Sequence, residues 1–397
     1  MRLHIKWMLL IAGLILAPSS AFAQGSNTFE VPPAIFTGPL SHPRYEDGGF
    51  YIGMEFQYMK TNRQLAAQQV AKRGFLDLDG SLSGTPGLFV GSQNPALNTN
   101  EVAGSGVFQP GYDVYLGWRF QGGVAVELSW KHLQAANYQA SAGLLPPSTF
   151  GAGANLQNTF LFAPVTNFST DFSGNDVNVA GGNVGSTFGI WNGASFMRIT
   201  LTQAIDMYQI NVRIPMWDTD SYRSYGLIGP RMVTLQDKFA WYTQDQDTQG
   251  NFTPDTVATY TNTVTNNMYG VHFGIGNEWY LGSTPIGAFA VSLEAEGAVY
   301  ANLVKASANW DRGDDLVNLG RVRNLSSIVP GVEARIGLWW YPWEAISVHL
   351  GYEVTTFFNT IASRHPIDFN MGSNNPQFDP VFFRWVYGLS FGVTFTF

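Results

Sequence analysis

Residues 384–397 read RWVYGLSFGVTFTF, and their alternation decides the fold. Trp385, Tyr387, Leu389, Phe391, Val393, Phe395 and Phe397 stand on one face, against Arg384, Gly388, Ser390, Gly392, Thr394 and Thr396 on the other. A strict period of two is a β-strand. A large aromatic–aliphatic face set against small or polar residues is the pattern of a strand with lipid outside and a lumen inside. Its closing position at Phe397 makes it the last strand of such a barrel.

Reading outward from it, the same partition recurs. Phe50, Ile52, Met54, Phe56 and Tyr58 alternate with Tyr51, Gly53, Glu55 and Gln57; Tyr112, Val114, Leu116, Trp118 and Phe120 alternate with Asp113, Tyr115, Gly117 and Arg119. Gln121-Gly122-Gly123 turns tightly into Val124, Val126, Leu128 and Trp130, with Glu127, Ser129 and Lys131 opposite. Tyr208, Ile210, Val212 and Ile214 oppose Gln209, Asn211 and Arg213. A fifth strand runs from Tyr222 to about Trp241 without a clear phase, which a bulge near Gly229-Pro230 would explain. Four more strands carry Glu278 opposite Trp279, Glu294 and Glu296 opposite Leu293, Glu333 and Arg335 opposite Ile336, and Glu353 opposite Tyr352. Ten strands result.

The connections alternate between long (61–110, 134–204, 243–266, 305–325, 359–382) and short (121–123, 215–221, 281–285, 341–345). That rhythm predicts an all-β, antiparallel up-and-down transmembrane barrel with short periplasmic turns and long extracellular loops. Twelve strands result if Phe196–Leu201 forms a strand of its own and the fifth run is split. A secreted β-sandwich is the alternative, but it accounts neither for the loop rhythm nor for charges repeatedly set opposite aromatics. Trp118, Phe120, Trp279, Tyr280, Trp339, Trp340, Tyr341, Trp343, Phe395 and Phe397 collect near the short turns, as an interfacial aromatic girdle does; Trp118, Trp279, Trp340, Trp343 and Phe397 are its expected core.

Arg2 and Lys6, an apolar run to Ala17, and Ala21-Phe22-Ala23 read as a secretory leader, residues 1–23. A Pro-rich periplasmic lead-in follows over 24–48, and the barrel occupies 49–397. The chain has no cysteine, 29 acidic residues and 21 basic ones, two of the latter in the leader. Disulfide staples and thiolate metal sites are excluded, and an acidic chain is a poor match for nucleic acid. No run approaches the roughly 18 apolar residues of a spanning helix. With 43 Gly, 29 Phe, 17 Tyr and 12 Trp but only 13% charged residues, the composition matches a barrel in lipid.

The motifs Asn211-Val-Arg213, Gly229-Pro-Arg231, Asn266-Asn-Met-Tyr-Gly270, Gly331 to Gly337 and Gly351-Tyr-Glu353 resemble the planctomycete-type outer-membrane barrel family over about half the chain, from residue 206 onward. The resemblance implies a fold and a cell-surface location, with no enzymatic reaction. The aromatic last strand resembles the signal by which outer-membrane assembly machinery recognises its substrates.

Charge on the inward face is the candidate site: Glu55, Arg119, Glu127, Arg213, Arg231, Glu278, Glu294, Glu296, Glu333, Arg335 and Glu353, with Lys131. A narrow ten-stranded lumen forces such ions to pair. They form either a salt-bridged plug or a charge-lined pore for small solutes. The expected protein is a monomeric outer-membrane barrel with a structural or porin-like role, in contact with lipid, without cofactor or metal. A loop-mediated surface binder is the alternative. A further one is an omptin-like hydrolase: Asp77-Leu-Asp79 is similar to the paired aspartates of omptins, with His365 and Asp368 in the last loop, but the Asp-x-His partner is missing.

Overall fold

The computed structural model describes residues 49–63, 65–77, 80, 83–105, 107–120, 122–144, 160–167, 190–219, 221–245, 253–315, 318–343 and 345–397. The expected leader and lead-in lie outside the described residues. Ten strands form the barrel: β1 (Gly49–Arg63), β2 (Gln109–Arg119), β3 (Ala125–Gly143), β4 (Phe196–Asp218), β5 (Tyr222–Gln244), β6 (Val257–Thr284), β7 (Gly287–Arg312), β8 (Asn318–Trp343), β9 (Ile346–His365) and β10 (Gln377–Thr396). Each pairs antiparallel with its sequence neighbour, and β10 pairs with β1 from Thr396↔Tyr51 to Val386↔Thr61. The ring is therefore closed, which removes the sheet edges within the bilayer that an open sheet would leave unpaired.

The period-two pattern places the side chains as expected. Phe56, Leu116, Leu128, Ile228, Phe273, Ile336, Leu350 and Phe391 are all exposed on the outer face, while Glu55, Gln57, Asp113 and Glu127 are buried inside. Trp118, Trp279, Trp340, Trp343 and Phe397 project outward at the end of the short turns. A second aromatic belt, absent from the sequence expectation, lies at the opposite level: Tyr58, Trp130, Tyr208, Tyr269 and Trp385. Within it Trp130 stacks on Tyr208 with centroids 6.0 Å apart and meets Tyr112 edge-on at 5.2 Å. On β6 the two belts are Trp279 and Tyr269. Ten residues at ~3.3 Å each, tilted by ~40°, span about 25 Å, the height of the apolar band of an outer-membrane barrel.

The strands run well past that band. β6 has 28 residues, against the roughly 9–11 that cross a bilayer. Beyond Tyr269 its phase is kept but its polarity inverts. Thr259, Thr261, Thr263 and Thr265 face out, while Tyr260, Val264 and Met268 are buried. β4 does the same, with Met197, Ile199 and Leu201 inside and Thr200 and Thr202 outside. This inversion corrects the expected loops: 134–204, 243–266, 305–325 and 359–382 shrink because their flanks are strand, and Phe196–Leu201 is the start of β4 rather than an extra strand. β5 is also continuous. Its register with β6 is unbroken from Tyr222↔Trp279 to Gln244↔Val257, so the expected bulge at Gly229-Pro230 is absent. The phase was unreadable because β5 buries Tyr225, Leu227, Val233, Leu235, Phe239 and Trp241 on the luminal side.

Tyr280, Trp339 and Tyr341, grouped by sequence with the girdle, face the lumen instead: Trp339 Nε1 donates to Ser292 at 2.8 Å and Tyr341 OH donates to Glu278 at 2.6 Å. Between the closely spaced turns, Gly122 and Gly123 adopt φ of 90° and 87°, as that turn requires.

At the extracellular end β9 leaves its neighbour. Its pairing with β8 stops at Phe357↔Gly331, and its register with β10 slips repeatedly from Phe357 to His365. Asn359, at φ 60°, turns the strand inward, an uncommon conformation that Asn tolerates. The freed backbone finds new partners across the lumen. Asn266 on β6 donates to the Ile361 carbonyl at 2.9 Å and accepts from its N–H at 3.0 Å. Tyr260 OH and Asn262 Nδ2 both donate to the Pro366 carbonyl at 2.8 Å. Segments of the long first and second loops pack onto this turn, where Gln69–Arg73 pairs with Pro95–Asn98 and Leu161–Phe162.

Candidate functional site

The lumen is filled in three successive layers. The lowest lies within the membrane band and holds the charged residues. Arg213 Nη2 donates to Glu127 at 3.3 Å and its Nη1 to Glu294 at 3.2 Å. Arg231 donates to Glu333 at 3.0 Å and also to Glu296. Arg335 reaches Glu55 at 3.4 Å and Glu353 at 3.0 Å. Lys131 Nζ donates to Glu353 at 2.5 Å, with Glu333 4.0 Å away. Each of these three arginines thus bridges two carboxylates from different strands, so the ions act as cross-braces across the lumen. Burying a charge is costly unless it is paired and hydrogen-bonded; this layer meets that condition by alternating the signs.

Neutral groups complete the layer. Tyr51 OH donates to Glu127 at 3.1 Å, Asn211 Nδ2 donates to the same carboxylate at 2.9 Å, and Asn211 Oδ1 lies 2.7 Å from His272 Nε2. His349 Nε2 lies 3.1 Å from Glu55. The tyrosines lie flat over luminal glycines of adjacent strands, Tyr51 over Gly117, Tyr115 over Gly53 and Tyr225 over Gly276; a Cβ added at any of these glycines would come within 2.5 Å of the ring. A cavity of about 40 Å³ is left among Glu55, Asp113, Arg213, Glu294, Glu333 and Arg335. At ~10–15 Å³ for each water, it has room for about three.

The second layer is apolar: Met59, Leu133, Met207, Leu235, Met268, Phe357 and Val386 pack together above the charges. Next to it Arg384 chelates Asp237, with Nη1 to Oδ1 at 3.1 Å, and Gln203 donates to the same carboxylate at 2.9 Å. The third layer is the cap, where Trp191, Trp241 and Trp310 meet with centroids 4.9, 5.0 and 5.9 Å apart. Ile190, Leu97, Leu161 and Ile367 from the loops close around them.

All eleven expected luminal charges lie on the inner face, and six of them, Glu55, Glu127, Glu294, Glu296, Glu333 and Glu353, are brought together by their bridges to Arg213, Arg231 and Arg335. Glu278 stands apart, nearer the periplasmic end, with Tyr341, and Arg119 is fully buried at the periplasmic end of β2. Asp113, read on the inward face but not counted among the candidate charges, also lies buried in the lumen, as does Arg223, which the sequence reading did not name. Asp113 pairs in register with both Glu55 and Lys131, so period two alone points to it. Arg223 donates to Asp218 at 2.8 Å beside the short turn. Asp77 of the omptin-like pair accepts from the Ser83 N–H at 2.6 Å within its own turn, and Asp79 lies outside the described residues. Asp368 accepts from Ser373 Oγ and from the Asn370 and Asn375 N–H groups, a turn-holding role. His365 is exposed at the end of β9.

A family model described as the Legionella pneumophila major outer membrane protein precursor matches residues 43–395. The chain belongs to this outer-membrane barrel family. As a member of the Legionella major outer membrane protein family, it resides in the cell outer membrane, in contact with its lipid. No curated protein matches the chain. Among solved structures this family member is similar to the outer membrane protease OmpT of Escherichia coli, at 9% identity and TM-score 0.42, covering 88% of this chain and 97% of that one. It is also similar to a FadL homologue of Pseudomonas aeruginosa, at 8% identity, TM-score 0.24 and coverage of 91% and 95%. A third is the Pseudomonas putida toluene transporter TodX, at 9% identity, TM-score 0.18 and coverage of 93% and 94%. The architecture of this family member rests on its own ring of strand pairings.

Proposed function

We propose that the protein is a structural barrel of the outer membrane whose lumen is closed to solutes, and that it presents a rigid extracellular extension at the cell surface. The observation that carries this reading is the lumen filled in series by paired ions, an apolar layer and an aromatic cap. A solute would have to separate bridged ions and wet an apolar constriction, and dewetting at such a constriction is itself a barrier. Ten strands also fall short of the 16–18 that leave an aqueous channel. The luminal charges act, in this reading, as braces that hold the barrel's cross-section. A single chain completes the ring, which favours a monomer, and the aromatic last strand favours recognition by the assembly machinery. The motifs that resemble planctomycete-type barrels contribute Asn211, Arg213, Arg231, Glu333, Arg335 and Glu353 to the braces, so we read that resemblance as a shared luminal chemistry.

A vesicle-swelling assay tests the proposal. Vesicles carrying the folded protein are expected to swell in isotonic pentose no faster than protein-free ones; porin-like swelling would overturn the closed-lumen reading in favour of small-solute permeation.

A further inference from the structure

The inward turn of β9 leaves an opening in the wall. Above Gly331 β8 loses β9 as its partner, and among the described residues no other strand pairs with that edge up to Asn318. Ser327 Oγ, donating to the Asn359 carbonyl at 3.1 Å, ties the seam below. Asn374, donating to the Leu319 carbonyl at 2.9 Å, and Arg321, donating to that of Ser373 at 2.9 Å, tie it above. Between the ties run Val322–Ser326, about 17 Å of strand at ~3.3 Å per residue. This edge opens on a cavity of about 460 Å³ lined by Leu325, Ile361, Pro376, Phe378, Pro380 and Arg323. Arg323 is half-buried on the cavity side and has no hydrogen-bond or ionic partner among the described residues.

We propose that this seam is a binding site for an extended, acidic peptide segment that joins β8 as an antiparallel strand in the place β9 has left. Three observations converge on a peptide. The edge offers a row of backbone donors and acceptors that only another backbone matches along its length, which is how strand addition works. A hydrocarbon chain laid there would cover those groups and leave each of them unpaired, which is costly. The charges on this edge are both cationic: Arg321 is taken up by the Ser373 carbonyl, which leaves Arg323 for an acidic partner, while Val322 is exposed on the outer side. The side chains set the sequence. Residues paired with Leu325 and Arg323 point together into the cavity, so an antiparallel segment needs an apolar residue, any residue, then an acidic one. Such a partner reaches the seam from outside the cell.

The probe is a fluorescein-labelled heptapeptide Thr-Phe-Thr-Glu-Thr-Val-Thr, with Phe opposite Leu325 and Glu opposite Arg323, titrated by anisotropy onto the folded full-length protein in micelles. Saturable binding is expected. It should weaken about tenfold or more with Arg323→Glu and by less with Arg323→Ala, and a Glu-to-Lys peptide should bind Arg323→Glu better than the native protein. N-methylation of alternate peptide bonds should abolish it. No binding up to millimolar peptide, equal binding of the Glu and Lys peptides by native protein, or binding that survives N-methylation would each overturn the proposal.

Discussion

Arg335 has one Nη 3.4 Å from Glu55 and the other 3.0 Å from Glu353, so its removal takes a cationic partner from two buried carboxylates and leaves Glu55 beside His349 and Glu353 on Lys131. Breaking a buried pair costs ~3–5 kcal/mol, and Arg335→Ala should lower unfolding stability in urea by about that much. Arg335→Lys should recover only part, because an ammonium cannot span both acids as a planar fork does. The reverse logic holds outside the membrane at Asp368. Burial pushes its carboxyl up, but hydrogen bonds from Ser373 and from the Asn375 and Asn370 N–H groups outweigh that and hold it below the usual carboxylate range. Its contribution is therefore complete near neutral pH and is lost as the pH falls through the depressed folded value. Proteolytic protection of loop 366–376 should fall in that acidic window, and Asp368→Asn should show the acid-state protection already at pH 7. Residues of this kind were legible in unequal measure. Glu55, Arg213 and Arg335 stood out because a charge opposite aromatics has one reading in a barrel strand. Asp237 did not, because its own face of β5 carries Val233, Leu235, Phe239 and Trp241 while the opposite face carries Thr234, Gln236 and Lys238, the inverse of the membrane-strand pattern.

At the level of the strand, the sequence told direction and face but not length. Alternation was read as strand only while the apolar set faced out. Where Thr259 to Thr265 take the outer face and Tyr260, Val264 and Met268 the inner one, the same period marks a strand whose outer face meets water, which a pattern keyed to an apolar outer face takes for loop. The sign of the alternation thus locates the membrane boundary, and the second belt at Tyr58, Tyr208 and Tyr269 marks it. Tight packing inside the strands follows the glycines. A Cβ on Gly276 would lie 2.2–2.5 Å from Tyr225 ring atoms, so Gly276→Ala should cost about 1–3 kcal/mol through overpacking, read as a lower midpoint of heat-modifiable gel migration. Adding Tyr225→Leu should restore part of it. At the inward turn of β9, Asn359→Gly should be tolerated while Asn359→Val should cost on the order of 1–2 kcal/mol, since a β-branched residue resists φ 60°.

For the molecule as a whole, ring closure and compartment followed from the last strand, which pairs with β9 and with β1 as its pattern requires. The filling of the lumen did not follow from it. Pairing of the ions could be argued from cost alone, yet the apolar layer and the Trp191–Trp241–Trp310 cap come from segments whose burial depends on loops folding inward, and no local pattern encodes that. The central claim is that these layers shut the barrel, and single-channel recording in planar bilayers tests it most directly. Purified folded protein should give no stable conductance steps above the lipid baseline, whereas large, reproducible steps would contradict a closed lumen.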